Sequence, residues 1–145
     1  MEAFRIMEEE ESGGLMLMAR GDSLEALFRA AARGLFETMV DTDAVQPQVG
    51  KEITLSADSI DQLLDQWLLE LIRLKELEGL FFGAFEVSIE RSQRHRIRGV
   101  AMGELIDPTR HPIRDRIGEA RAIPFRIART GDAWEVVVTF VPEAG

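Results

Sequence analysis

Between Ser59 and Gly79 the chain sets Ile60, Leu63, Leu64, Trp67, Leu68, Leu71 and Leu74 at helical spacing. An apolar stripe this wide has to be covered, and the period excludes a strand. Asp58 or Ser59 is the cap, with Gln62 three positions after Ser59, and Gly79 is a stop signal. The spacing therefore predicts a helix pressed onto a sheet. A second helix is predicted from Asp22 or Ser23 onward, with Glu25 three after Asp22 as in a capping box. Its apolar face is Leu24, Leu27, Phe28, Ala31, Leu35 and Met39, with Glu25, Arg29, Arg33 and Glu37 off that face.

The remaining segments have strand character. Residues 4–7 alternate, 15–19 form an apolar run of strand length, and 51–56 alternate with Ile53 and Leu55 on one side. Residues 84–91 and 96–106 are predicted to form a hairpin across Ser92 to His95, which makes His95 an exposed turn residue. A second hairpin is predicted from 119–128 and 133–140, turned at Thr130-Gly131-Asp132. Pro124 inside a strand pattern implies an edge or a bulge. Asp41 to Pro47 and Asp107 to Gly118 are expected as loops. The order is β-β-α-β-α-β-β-β-β. That is α+β, two helices packed against a mostly antiparallel sheet.

At 145 residues the chain fits one domain, 1–145, and is long enough to bury a core without a metal or disulfide staple. The 46% apolar fraction excludes a disordered chain. The absence of cysteine excludes disulfide scaffolds, Cys-ligated zinc and thiol nucleophiles. No run of 18 apolar residues is present, and no basic region precedes an apolar one at the N-terminus. These features point to a soluble, cytoplasmic protein with no membrane partner.

The formal charge of −9 argues against a general nucleic-acid coat. It is unevenly spread. Residues 1–80 hold 17 acids and 7 bases, whereas 91–129 holds 10 Arg against 4 acids. Those arginines are expected to dress strand faces and pair with the acidic half, with a local RNA patch as the rival reading.

One loop suggests chemistry. Asp107 and His111 stand four residues apart, and a carboxylate and an imidazole at that spacing can ligate a metal or do acid–base work. The alternative is an Asp capping its own turn beside a solvated His. The acidic run Glu8 to Glu11 either supplies oxygen ligands to a hard cation or is merely solvated. There is no nucleophile elbow, phosphate-binding glycine loop or His-Glu metal helix.

Taken in order, five segments resemble the archease family. Residues 21–31, GDSLEALFRAA, resemble its G-x-[ST]-L-E-E-L-F-x-x-A-A helix, and 63–71, LLDQWLLEL, its L-L-x-x-W-L-N-E-L helix. Residues 103–111 keep its G-E-x-x-D-x-x-x-H pattern. Residues 121–126 take the place of K-A-V-T-Y-H, and 134–140 that of the closing strand.

The resemblance implies an α+β, archease-like fold. It also implies a non-enzymatic accessory protein that promotes the metal-dependent guanylylation of a tRNA-splicing RNA ligase or tunes a tRNA methyltransferase. It implies a divalent cation, Ca or Mn, with Asp107 as a ligand and His111, Arg121 and Glu11 as further site residues. The sequence departs from the family at four of these places. Glu11 stands for the family histidine, Gly14 for a metal-binding aspartate, Arg121 for the lysine, and Thr139 for the C-terminal aspartate. Glu10, Glu11 or Glu143 would have to fill the gap. The competing expectation is a binding or chaperone module that has lost the metal site. A third is a small hydrolase using Asp107 and His111.

Overall fold

The computed structural model describes residues 2–8, 15–111, 121–122 and 125–141, with residues 8, 121, 122 and 141 described through their backbone. Eight strands and two α-helices occur among these residues. The first sheet has the order β1 (Ala3–Glu8), β2 (Leu15–Gly21), β8 (Ala133–Val141), β6 (Arg121–Ala122), and β7 (Ala128–Thr130) also pairs with β8. The second has the order β3 (Val49–Ala57), β5 (His95–Leu105), β4 (Leu80–Arg91). All pairings are antiparallel. The single sheet expected from the sequence is thus two sheets.

Helix α1 (Leu24–Glu37) runs between them, touching β1, β2 and β8 on one side and β4 and helix α2 (Ile60–Glu78) on the other. This position explains why its burial exceeds the expected stripe: Ala26, Ala30, Ala32 and Phe36 are buried as well. The cap is Ser23, whose hydroxyl accepts the Ala26 N–H at 3.0 Å. Glu25 does not close the expected box, and its Oε2 instead accepts the Ile89 N–H of β4 at 3.4 Å.

Helix α2 lies on the second sheet, against β3, β4 and β5. Ser59 caps it, accepting the Gln62 N–H at 3.1 Å, and Gly79 ends it at φ 65°. That left-handed backbone suits a residue without a Cβ. The stripe closes on β5 through Trp67, whose ring lies where a Cβ on Gly99 would come within 2.7 Å of it. Its Nε1 donates to the Phe28 carbonyl of α1 at 3.2 Å, joining the two helices.

Three expected boundaries change. Strand β4 starts at Leu80, earlier than residue 84, because the Leu80-Phe81-Phe82 run is buried on both faces. His95 is not a turn residue. It begins β5, half-buried, opposite Arg91 and Ala57. Of the strand expected at 119–128, residues 119, 120, 123 and 124 lie outside the described residues; Arg121–Ala122 form β6, residues 125–127 are not in a strand, and the Ile127 N–H donates to Asp61 of α2 at 2.7 Å. Gly131 turns β7 into β8 at φ 63°, where the sequence placed the turn. Pro124 lies outside the described residues. No helix among the described residues is long and apolar enough to cross a membrane.

The Arg-rich stretch divides its arginines among several environments. Arg94 faces Asp58 at 3.6 Å and Arg110 faces Glu104 at 2.9 Å. Arg91 and Arg129 stack on the Trp134 ring, 5.9 and 5.3 Å from its centroid.

Candidate functional site

The 103–111 segment builds one polar cluster at the end of β5. Odd residues of β5 face the helices, so even-numbered Glu104 points to the opposite face, in register with Phe81 of β4. Strand alternation would normally leave such an acid in water. Here the chain folds back over it, and Glu104 is only 3% exposed. The Ile106 N–H donates to the Gly79 carbonyl at 2.8 Å, which pins the turn to the junction of α2 and β4.

His111 closes the turn and is fully buried at 0% exposure, edge-on to the Phe81 ring with centroids 5.7 Å apart. Its Nδ1 accepts the Asp107 N–H at 2.9 Å, and the His111 backbone N–H donates to the Asp107 carbonyl at 2.7 Å. With Nδ1 an acceptor, the proton of neutral His111 sits on Nε2. That nitrogen lies 3.0 Å from Glu104 Oε1, close but not aligned as a linear hydrogen bond. Glu104 also takes Arg110 Nη2 at 2.9 Å on Oε1 and the Gln46 N–H at 2.5 Å on Oε2. One carboxylate therefore joins the turn, the imidazole and the loop after α1.

Asp107 sits at the outer end of this cluster, half exposed. Its Oδ1 accepts the Thr109 hydroxyl at 2.7 Å and the Thr109 N–H at 3.0 Å. These two bonds hold its carboxyl below the usual carboxylate range, with a smaller contribution from the Arg110 charge. The capping expectation describes Asp107 but not the solvated histidine it came with. The aspartate does cap its own turn, but the histidine is locked in the interior. The ring is fully buried and its Nδ1 is committed to the Asp107 amide, so His111 is placed to hold the loop.

The Thr109 bonds give a direct test. Thr109→Ala removes the hydroxyl donor, and the Asp107 carboxyl then titrates at higher pH, read by carboxyl carbon NMR. The sign follows from linkage. A carboxyl held low in the folded state adds stability above its unfolded value, and that stability is lost as pH falls through the folded value. Thr109→Ala therefore flattens the acid limb of the stability profile relative to the parent.

The other expected site residues are placed as follows. Arg121 enters β6 through its backbone, opposite Val141. Thr139 is opposite Met16 on β2. Glu11, Gly14, Glu10 and Glu143 lie outside the described residues. Among the described residues no group of three acids or histidines could hold a metal ion. Asp107 offers one carboxylate with an oxygen already engaged, and a hard divalent cation needs several oxygens. The described residues therefore do not fit a resident metal. The sequence pattern named Glu104 without its role, and it missed Phe81 and Gln46. A usable signal was present in Phe81-Phe82: adjacent aromatics in a strand require both faces to be covered at that point.

Two helices on two antiparallel sheets, with an aspartate presented by a histidine-clamped turn, define an α+β class with solved representatives. The solution structure of Methanobacterium thermoautotrophicum protein 1598 matches with a TM-score of 0.78 at 25% identity, covering 95% of this chain and 97% of that one. The model of the Archease protein family matches residues 8–140. Protein archease of Thermococcus gammatolerans is 32% identical over 136 residues, 92% of this chain and 94% of that protein. Protein archease of Methanopyrus kandleri is 31% identical over 128 residues, 88% and 91% of the two chains. The chain belongs to the archease family.

Proposed function

We propose that this protein is a non-catalytic accessory protein that assists an RNA ligase, or another tRNA-processing enzyme, by presenting Asp107 to it. The observation that carries this is the clamp itself. Buried His111 holds the Asp107 backbone from both sides, Glu104 stands 3.0 Å behind the other ring nitrogen, and the aspartate carboxylate is half exposed. A half-exposed acid held by its own turn, with His111 already committed to that turn's backbone, suits a ligand donated to a partner's site.

The test adds the purified protein to its cognate RNA ligase and follows guanylylation in Mn²⁺ and in Mg²⁺. The expected result is acceleration that Asp107→Ala abolishes. No acceleration in either metal overturns the proposal.

A second reading is a binding or chaperone module that has lost its metal, and Thr139 in place of an acid favours it. The ligase assay separates the two: acceleration lost in Asp107→Ala counts for the first, and no acceleration counts for the module. Calorimetry with Mn²⁺ and Ca²⁺ tests the lost metal, and stoichiometric binding, completed by Glu10, Glu11 or Glu143, counts against the module.

A further inference from the structure

The solvent face of the first sheet carries an apolar groove rimmed by arginines. Alternation along β2 and β8 sends Leu17, Ala19, Val136 and Val138 to the core. Met18 and Val137 point outward, opposite one another in register, and are 39% and 41% exposed. With Ala3 and Ala128 they floor a groove of about 500 Å³. Arg5, Arg20 and Arg126 line the same groove. Arg20 is paired with Glu135 at 3.4 Å. Arg5 and Arg126 are exposed, and neither has an ion-pair partner among the described residues.

In a chain with a net charge of −9, this face is a local surplus of positive charge over an apolar floor. We propose that it docks an acidic segment of a partner protein, with carboxylates on Arg5 and Arg126 and an apolar side chain against Met18 and Val137. Guanidinium groups suit bidentate carboxylate contacts, and a flexible thioether adapts its shape to an incoming side chain. RNA fits less well. Single strands use aromatic platforms for their bases, and the nearby rings of Phe4 and Trp134 pack against the core side of the sheet instead. A second copy of this chain fits less well too, because a two-fold contact would set these arginines against themselves. The groove shares no lining residue with the Asp107 cluster, so this inference stands apart from the proposed function.

The experiment uses the full chain. A short fluorescein-labelled peptide with two leucines among glutamates and aspartates is titrated by anisotropy. The same peptide with lysines and a short oligouridine are run beside it. The acidic peptide is expected to bind, to weaken with salt, and to shift the Met18 and Val137 methyl NMR signals while leaving Asp107 unmoved. Arg5→Glu with Arg126→Glu is expected to weaken it about tenfold or more. Arg5→Gln with Arg126→Gln serves if the reversed variant is unstable to heat. The proposal is overturned if the acidic peptide does not bind, if the lysine peptide binds equally, or if its binding leaves the Met18 methyl unmoved. Tighter binding of oligouridine through the same arginines would assign the face to RNA and overturn it as well.

Discussion

Trp67→Ala is expected to destabilise the fold by about 3–5 kcal/mol. The indole is fully buried at 0% exposure, and its ring meets Phe85 edge-on at 6.2 Å. It also bonds the Phe28 carbonyl, so truncation leaves a cavity and removes the bond that joins the two helices. The measurement is urea denaturation, with a lower midpoint at unchanged slope. Gly99 supplies a stricter form of the test. Gly99→Ala places a methyl 2.7 Å from the ring in the parent, and overpacking of this kind costs about 1–3 kcal/mol. In the Trp67→Ala background the same methyl enters vacated space. The two substitutions should therefore couple by about 1 kcal/mol or more. Simple additivity would show that α2 does not close on β5 through this contact.

Glu104→Ala is expected to cost about 3 kcal/mol, because removing a buried, hydrogen-bonded charge strands its partners. The Gln46 N–H loses its acceptor, and His111 Nε2 and Arg110 lose the carboxylate they face. Glu104→Gln keeps one carbonyl oxygen and should cost less. The distinguishing readout is local. Amide exchange at Gln46 and Asp107 should accelerate in Glu104→Ala, since the imidazole that accepts the Asp107 N–H is no longer steered. His111→Ala should expose the Asp107 amide in the same way and leave Gln46 protected. If Glu104→Ala left the Asp107 amide unchanged, the clamp would not act as one unit, and the proposed presentation of Asp107 would lose its support.

The segments legible in the sequence are those whose signal is local. Both helices were readable from period and caps, and Gly79 and Gly131 mark their turns because positive φ selects glycine. The α+β class followed from the order of elements, and the family followed from five ordered motifs. Less legible was anything set by where an element lies. The capping choice between Asp22 and Ser23 was ambiguous, and it is decided by the approach of β4, which takes Glu25 for Ile89. The 119–128 pattern looked like strand, yet Asp61 on α2 captures the Ile127 amide that a ladder would have used.

The same division runs through the candidate site. By itself the sequence determined that Asp107 and His111 share a short turn, and that Thr139 and Gly14 stand where the family pattern has acids. Spacing is a covalent property and needs no partner to be read. Only the tertiary structure decided what the two residues do there. Burial of His111 against Phe81, and of Glu104 under the loop after α1, comes from segments 30 and 58 residues away along the chain. A side chain's exposure and hydrogen-bond partners depend on which distant surfaces cover it. So the imidazole became a clamp, and the carboxylate alone remained at the surface.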